Sequence, residues 1–184
     1  LVREAFSPRL LTVSLRPRGV IGAGDRNWLP RIIEMRANNR LVQPGDGSNL
    51  ADFTSIDNLI DVIKILLDAS NPAFGRTYNI TNGAPEKLWD VIDQALLAIG
   101  SDGNRKKVSL KFAMILSRIS ELFHRLKRAK EEPNLLPIKV GVAAYSMTLD
   151  IAAAKEYLNY NPRVSTRKAI EEFAQWWKSE QRSS

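Results

Sequence analysis

The 184-residue chain reads as an α/β protein whose later part is mostly helical, and three observations carry that expectation. Over the first hundred residues, short runs of strand-forming side chains alternate with amphipathic helical stretches. One of these runs, 10–15, passes directly into a Pro/Gly-rich turn and then a helix, which is where an open α/β sheet places its ligand crevice. Beyond about residue 100 the apolar spacing turns almost wholly helical.

In chain order, Leu10, Leu11, Val13 and Leu15 predict a buried strand that Arg16-Pro17 ends, since Pro17 has no N–H for a sheet ladder. Gly19, Gly22 and Gly24 then permit tight turns and close approach of a ligand to the backbone. Asp25-Arg26-Asn27 caps a helix over 28–38. Leu41-Val42-Gln43 is a short strand, and 51–54 another extended piece. Ser55 caps a helix to about residue 69, whose two-sided apolar character predicts burial against a sheet. Residues 77–81 form a strand, Pro85 opens a helix that stops at Gly100, and 107–110 form a further strand. From Phe112 to Arg128 the i, i+3, i+4, i+7 pattern is nearly unbroken, with Lys111, Arg118 and Arg125 recurring every seven residues on another face. A short helix over 135–145 is interrupted by Pro137, 146–149 is a strand, Asp150 caps 151–157, and Ser165 caps a last helix through Trp176-Trp177.

Composition narrows the functions. There is no cysteine and one histidine, so disulfides, thiolate metal sites and a cysteine nucleophile are excluded, and a histidine metal cluster is disfavoured. No apolar run approaches the ~18 residues a spanning helix needs. The absence of cysteine fits a cytoplasmic protein. The net charge of +7 raises nucleic acid, a membrane surface or a phosphate-bearing cofactor as partners. Nucleic acid is disfavoured, because the basic residues lack interleaved aromatics and no DNA-binding motif occurs. The 112–128 helix fits either a core-facing element with basic residues outside or a helix lying on a membrane surface. The opening LVREAF reads as the last turns of a helix already in progress, so the sequence is expected to be the later part of a longer protein.

Catalytic constellations are missing from the pattern. Gly19-Val20-Ile21-Gly22-Ala23-Gly24 follows a strand, but Pro17 interposes and no second strand ends in an acidic residue, so a pyrophosphate loop is disfavoured. None of the four tyrosines has a lysine four residues later, and His124 lies in the basic helix without a serine–acid partner set. Asp46 and Asp52 neighbour turns and read as structural before catalytic.

LRPRGVIGAGD, PGDGSNLADFTSIDN and GRTYNITNGAPEKLWDVID, in that order, resemble the second half of an extended short-chain dehydrogenase/reductase. Within that superfamily the chain is most similar to the 3β-hydroxysteroid dehydrogenase-like branch of the NAD-dependent epimerase/dehydratase group. The closing YSMTLDIAAAKEYLNYNPRVSTRKAIEEFAQWW is similar to that group's terminal segment. The resemblance implies that 1–100 is a remnant of a Rossmann-like sheet with substrate-loop insertions, and 101–184 a mostly helical substrate-binding region. It implies NAD or NADP as cofactor, held mainly by an N-terminal half that also carries the catalytic Tyr and Lys. This fragment alone is then expected to be inactive, and the full-length protein an NAD(P)-dependent dehydrogenase/reductase, as a homodimer.

By the same resemblance Pro17, Arg18, Gly19 and Val20 face the nicotinamide end of the cofactor. Gly19, Val20, Trp28, Leu29, Gln43, Asp52 and Phe53 lie at the substrate, and no residue of this chain is catalytic. Ala51 stands where sugar-nucleotide epimerases typically have an Arg for the substrate diphosphate, which favours a small apolar hydroxy- or keto-substrate, steroid-like or fatty. Related enzymes often carry a membrane-associating segment where 112–128 falls, implying peripheral membrane contact there. Two competitors stand beside this reading: a sugar-nucleotide epimerase or dehydratase, and a non-catalytic cofactor-sensing or membrane-binding protein on the same fold.

Overall fold

The computed structural model describes residues 5–126 and 136–183. Its strands are β1 (Ser14–Pro17), β2 (Val20–Ile21), β3 (Val42–Pro44), β4 (Leu50–Ala51), β5 (Thr54–Ser55), β6 (Thr77–Ile80), β7 (Glu86–Lys87) and β8 (Lys106–Val108). Its α-helices are α1 (Trp28–Ala37), α2 (Ile56–Leu67), α3 (Leu88–Ala98), α4 (Leu110–Leu126), α5 (Pro137–Ala144), α6 (Ala152–Leu158) and α7 (Thr166–Ser183). β1–β6, β2–β5 and β3–β8 pair in parallel and β4–β7 antiparallel, each as a two-stranded unit. Parallel pairs joined through helices give the mixed α/β architecture that the alternating pattern predicts.

The first strand differs from expectation in extent. It begins at Ser14, and Leu10 and Leu11 lie outside it, exposed. Pro17 does not end it early but forms its last position, opposite Ile80. In a parallel ladder alternate residues bond to the same neighbour. Ser14 donates to Arg76 and Arg18 to the Ile80 carbonyl, so the nitrogen of Pro17 points away from β6 and no ladder bond is lost.

Capping is local and matches its sequence signals. The Asp25 carboxylate accepts from the N–H groups of Asn27, Trp28 and Leu29, satisfying donors that the first turn of α1 leaves unpaired. Ser55, Asp150 and Ser165 do the same for α2, α6 and α7. Pro85, by contrast, does not open α3: Glu86-Lys87 first pairs with β4, and the helix starts at Leu88. Pro137 does not interrupt α5 but is its first residue, where its missing N–H costs nothing. The strand expected over 146–149 reduces to a single parallel bridge between Met147 and Ala51. Ala5 and Phe6 are not helical, and the rest of the helix read into LVREAF lies outside the described residues.

Two cores hold these elements. In one, Val91, Ile92, Ala95 and Leu96 of α3 pack with Ala169, Ile170 and Phe173 of α7 and with Ile21, Leu29, Leu41 and Phe53, while Trp176 and Trp177 close its rim. Each buried Val, Leu or Ile among them contributes about 1.5–3 kcal/mol. The other gathers Val62, Tyr78, Ile80, Ala154, Leu158 and Tyr160 around β6. As expected, α2 is buried against a sheet, through Val62 on β6, while Ile60, Ile63 and Leu67 on its other side are exposed.

Tyr160 ties α6 to β6. Its hydroxyl donates to the Thr81 carbonyl at 2.9 Å, and burial, with the Asp61 carboxylate adding to it, pushes its pKa up to about 12. A phenol ionises to a charged form, so the raised value means that the fold favours neutral tyrosine. The stabilisation is whole below pH ~10 and is lost between about 10 and 12, as the unfolded chain releases the proton first. The wild-type advantage over Tyr160→Phe in urea titrations should therefore shrink from about pH 9 to about pH 11.

Candidate functional site

The site lies where β1 gives way to β2. At the end of β1 the backbone of Arg18 is held from two sides. Its N–H reaches the Ile80 carbonyl at 3.3 Å and the Thr54 hydroxyl oxygen at 3.2 Å, and that hydroxyl is 2.6 Å from the Arg18 carbonyl. Thr54 is fully buried, and its own N–H donates to the Gly19 carbonyl at 3.1 Å. Gly19 adopts φ +50°, and a Cβ there would lie 3.0 Å from both the Asp52 carbonyl oxygen and Phe53 Cδ1. Glycine is what lets this turn sit directly on the 52–53 backbone.

Phe53 continues the contact outward. Its ring meets that of Trp28, at the start of α1, with centroids 5.5 Å apart and planes tilted by 45°. Beside them an open groove of about 580 Å³ runs along Val20, the 22–27 loop, Trp28 and Ile56. The structure thus brings Pro17, Arg18, Gly19, Val20, Phe53 and Trp28 to one seam.

The remaining candidates are placed differently. Leu29 is fully buried in the core beneath α1 and does not line the groove. Gln43 is also buried, its Oε1 accepting from Arg105 Nε at 2.7 Å. That guanidinium pairs with Asp93 and lies 4.9 Å over the Trp89 ring, so Gln43 belongs to a closed polar cluster. Asp52 is buried with its carboxylate accepting from the Leu149 N–H at 2.5 Å, which fastens the 146–149 segment beside β4. Thr54 and the amides Asn58 and Asn82, which hold the seam together, were not singled out by sequence reasoning for that role. Their partners lie 24 to 106 residues away and leave no periodic signal.

Helices α4 and α5 pack against each other with large apolar side chains left exposed. Among the described side chains of helix α4, those buried are Ala113 and Ser117, and its apolar stripe does not face the core of this chain. Phe112, Ile115, Leu116, Ile119, Leu122 and Phe123 are all exposed, as are Ile138 and Val142 of α5. Lys127 and Arg128, the end of that predicted helix, lie outside the described residues. Among the described residues, no group of acidic or histidine side chains is arranged to hold a metal, and no helix is long and apolar enough to cross a membrane.

Residues 3–113 match the 3-beta hydroxysteroid dehydrogenase/isomerase family. The chain belongs to that family. It is 32% identical over 172 residues to the 2-alkyl-3-oxoalkanoate reductase of Stenotrophomonas maltophilia, covering 92% of this chain and 52% of the relative. To the decarboxylating sterol-4-alpha-carboxylate 3-dehydrogenase of Candida albicans it is 34% identical over 182 residues, covering 91% and 50%. The chain thus spans about half the length of these two relatives. Its fold is that of the extended short-chain dehydrogenases. The NAD complex of UDP-glucuronic acid 4-epimerase from Bacillus cereus superposes with a TM-score of 0.62 at 20% identity, covering 93% of this chain and 46% of the epimerase. UDP-glucose 4-epimerase from Thermotoga maritima superposes with a TM-score of 0.61 at 16% identity, covering 94% and 48%.

Proposed function

We propose that this chain forms the substrate side of an NAD(P)-dependent oxidoreductase that interconverts a hydroxyl and a keto group on an apolar carboxylate. The observation that carries the reading is the seam itself, in a member of this family: a glycine turn at the end of a parallel strand, an aromatic pair beside it, and Ala51 in place of a diphosphate-holding arginine. The two bacterial and fungal relatives bear names that share one chemistry. A 3-oxoalkanoate and a 4-carboxylate oxidised at carbon 3 both place the reacting oxygen β to a carboxylate. The Pro17–Val20 turn is offered to the reactive end of a nicotinamide, since Gly19 packs it directly on the 52–53 backbone and Thr54 fixes its position. When bound, the nicotinamide supplies or accepts the hydride. This chain's residues orient the substrate and exclude water from the seam.

The test uses the full-length protein with a 2-alkyl-3-hydroxyalkanoate and NAD+ or NADP+, following the absorbance of reduced nicotinamide. Turnover is expected. No turnover with apolar hydroxy or keto compounds, together with calorimetric binding of a UDP-sugar, would instead favour a sugar-nucleotide enzyme.

Peripheral contact with an anionic membrane is the second element of the proposal. It is supported by the exposed apolar stripe of α4 and the exposed Lys111 and Arg118 along one flank, as on helices that lie in a bilayer interface. Ile119→Asp, in the middle of that stripe, should lower co-sedimentation with phosphatidylserine vesicles at least tenfold. Failure of the wild-type protein to sediment with them would remove this element.

A further inference from the structure

We infer that Arg18 recognises the carboxylate of the substrate; the inference rests on the substrate class proposed above and assigns one residue to it. Three observations converge on this side chain. First, its starting point is fixed: hydrogen bonds to Ile80 and Thr54 hold its N–H and carbonyl, so the side chain departs from a rigid backbone point one residue before Gly19. Second, its charge has no carboxylate partner among the described residues. Arg36, Arg105 and Arg163 are paired with Asp102, Asp93 and Asp61, whereas Arg18 Nη2 rests 3.3 Å from the thioether sulfur of Met147. A thioether is neutral and a weak acceptor, and guanidinium presents five donors in a planar fork. The contact therefore places the fork without neutralising it.

Third, the surroundings leave that position open to an outside anion. Met147 is fixed by its N–H to the Leu50 carbonyl at 2.8 Å and by its bridge to Ala51, so the guanidinium lies beside the 50–52 stretch. The nearby acid, Asp52, is buried and committed to Leu149, and does not pair with Arg18. Guanidinium and carboxylate match bidentately, which fixes orientation as well as charge. The spacing suits the substrate too. In a β-hydroxy or β-oxo acid the reacting carbon is two bonds from the carboxyl carbon, so the residue that holds the carboxylate must adjoin the turn that faces the nicotinamide. Arg18 immediately precedes Gly19 and Val20.

The experiment compares the full-length wild type with Arg18→Leu and Arg18→Lys on a 2-alkyl-3-hydroxyalkanoate and on its methyl ester. The ratio of kcat/KM for acid over ester should fall on the order of 100-fold in Arg18→Leu, mainly through KM for the acid, as loss of a binding contact predicts. Arg18→Lys should restore part of the ratio, since it keeps the charge and loses the fork. Matching thermal melts across the three proteins establish that the loss is not one of folding. A ratio unchanged in Arg18→Leu overturns the assignment, as does an equal loss on acid and ester. UDP-glucose binding that disappears in Arg18→Leu overturns it in favour of a diphosphate ligand. A wild type inert toward both acid and ester overturns the substrate reading and this assignment together. An active wild type indifferent to the carboxylate overturns the assignment alone.

Discussion

Replacing Asn58 by Leu should destabilise the full-length protein by about 4 kcal/mol, read as a lower urea midpoint with an unchanged m-value. The side chain is fully buried and makes as many hydrogen bonds as an amide can. Its Oδ1 accepts from the N–H groups of Arg163 and Val164, both at 3.0 Å. Its Nδ2 donates to Asn82 Oδ1 and to the Val164 carbonyl, both at 2.8 Å. Leucine, similar in size, would leave those part-buried backbone groups and Asn82 Oδ1 without these partners, at up to about 1–3 kcal/mol each, partly relieved by solvent and relaxation. Asn58→Asp should cost nearly as much, because both donors vanish and two acceptors then face oxygen. Asn82→Asp offers the contrast. Asn82 Oδ1 keeps its bonds from Ser55 and Asn58, and the one donor lost points at the Thr166 hydroxyl, which can turn and donate instead. A loss of about 1 kcal/mol is expected there. Equal losses for the two aspartates would show that the network is not divided in this way.

That network also shows which parts of the molecule are legible in sequence. Caps are written within a few residues, so Asp25, Ser55, Asp150 and Ser165 could be placed from spacing alone. Alternation of strand and helix patterns gives the α/β class for the same reason. Periodicity reports which residues share a face and not what covers it. Hence α4 has the predicted stripe, yet the side chains buried among those described are Ala113 and Ser117. Pairing across the chain is invisible to both kinds of signal. Nothing in the sequence near Gln43 announces Arg105, and nothing near Asn58 announces Val164. At the seam the glycine pattern marks a close approach, and the partner that makes it close, the 52–53 backbone, emerges only from the fold.

Gly19→Val should be the most damaging single change for turnover. The residue sits at φ +50°, a region that costs a β-branched side chain well over 1 kcal/mol. Its Cβ would meet the Asp52 carbonyl oxygen and Phe53 Cδ1 at 3.0 Å, and the added methyl groups would come closer still. The Asp52 carbonyl is backbone and yields little, so the Phe53 ring must move. Phe53 is buried against Trp28, and displacing it shifts the wall of the groove where α1 begins. A misplacement of about 1 Å at a reacting centre is worth on the order of 100-fold in rate. The full-length Gly19→Val protein should therefore lose about that much in kcat/KM toward the proposed hydroxy-acid substrate, with a stability loss of about 3 kcal/mol. Gly45→Ala isolates the backbone cost. It has φ +78° but nothing within 4 Å of its Cβ position, and it lies between β3 and β4, outside the lining of the groove. It should lose about 1 kcal/mol of stability and little turnover. Parallel losses of turnover in the two variants would mean that general loosening, and not the Gly19–Phe53 contact, governs the site.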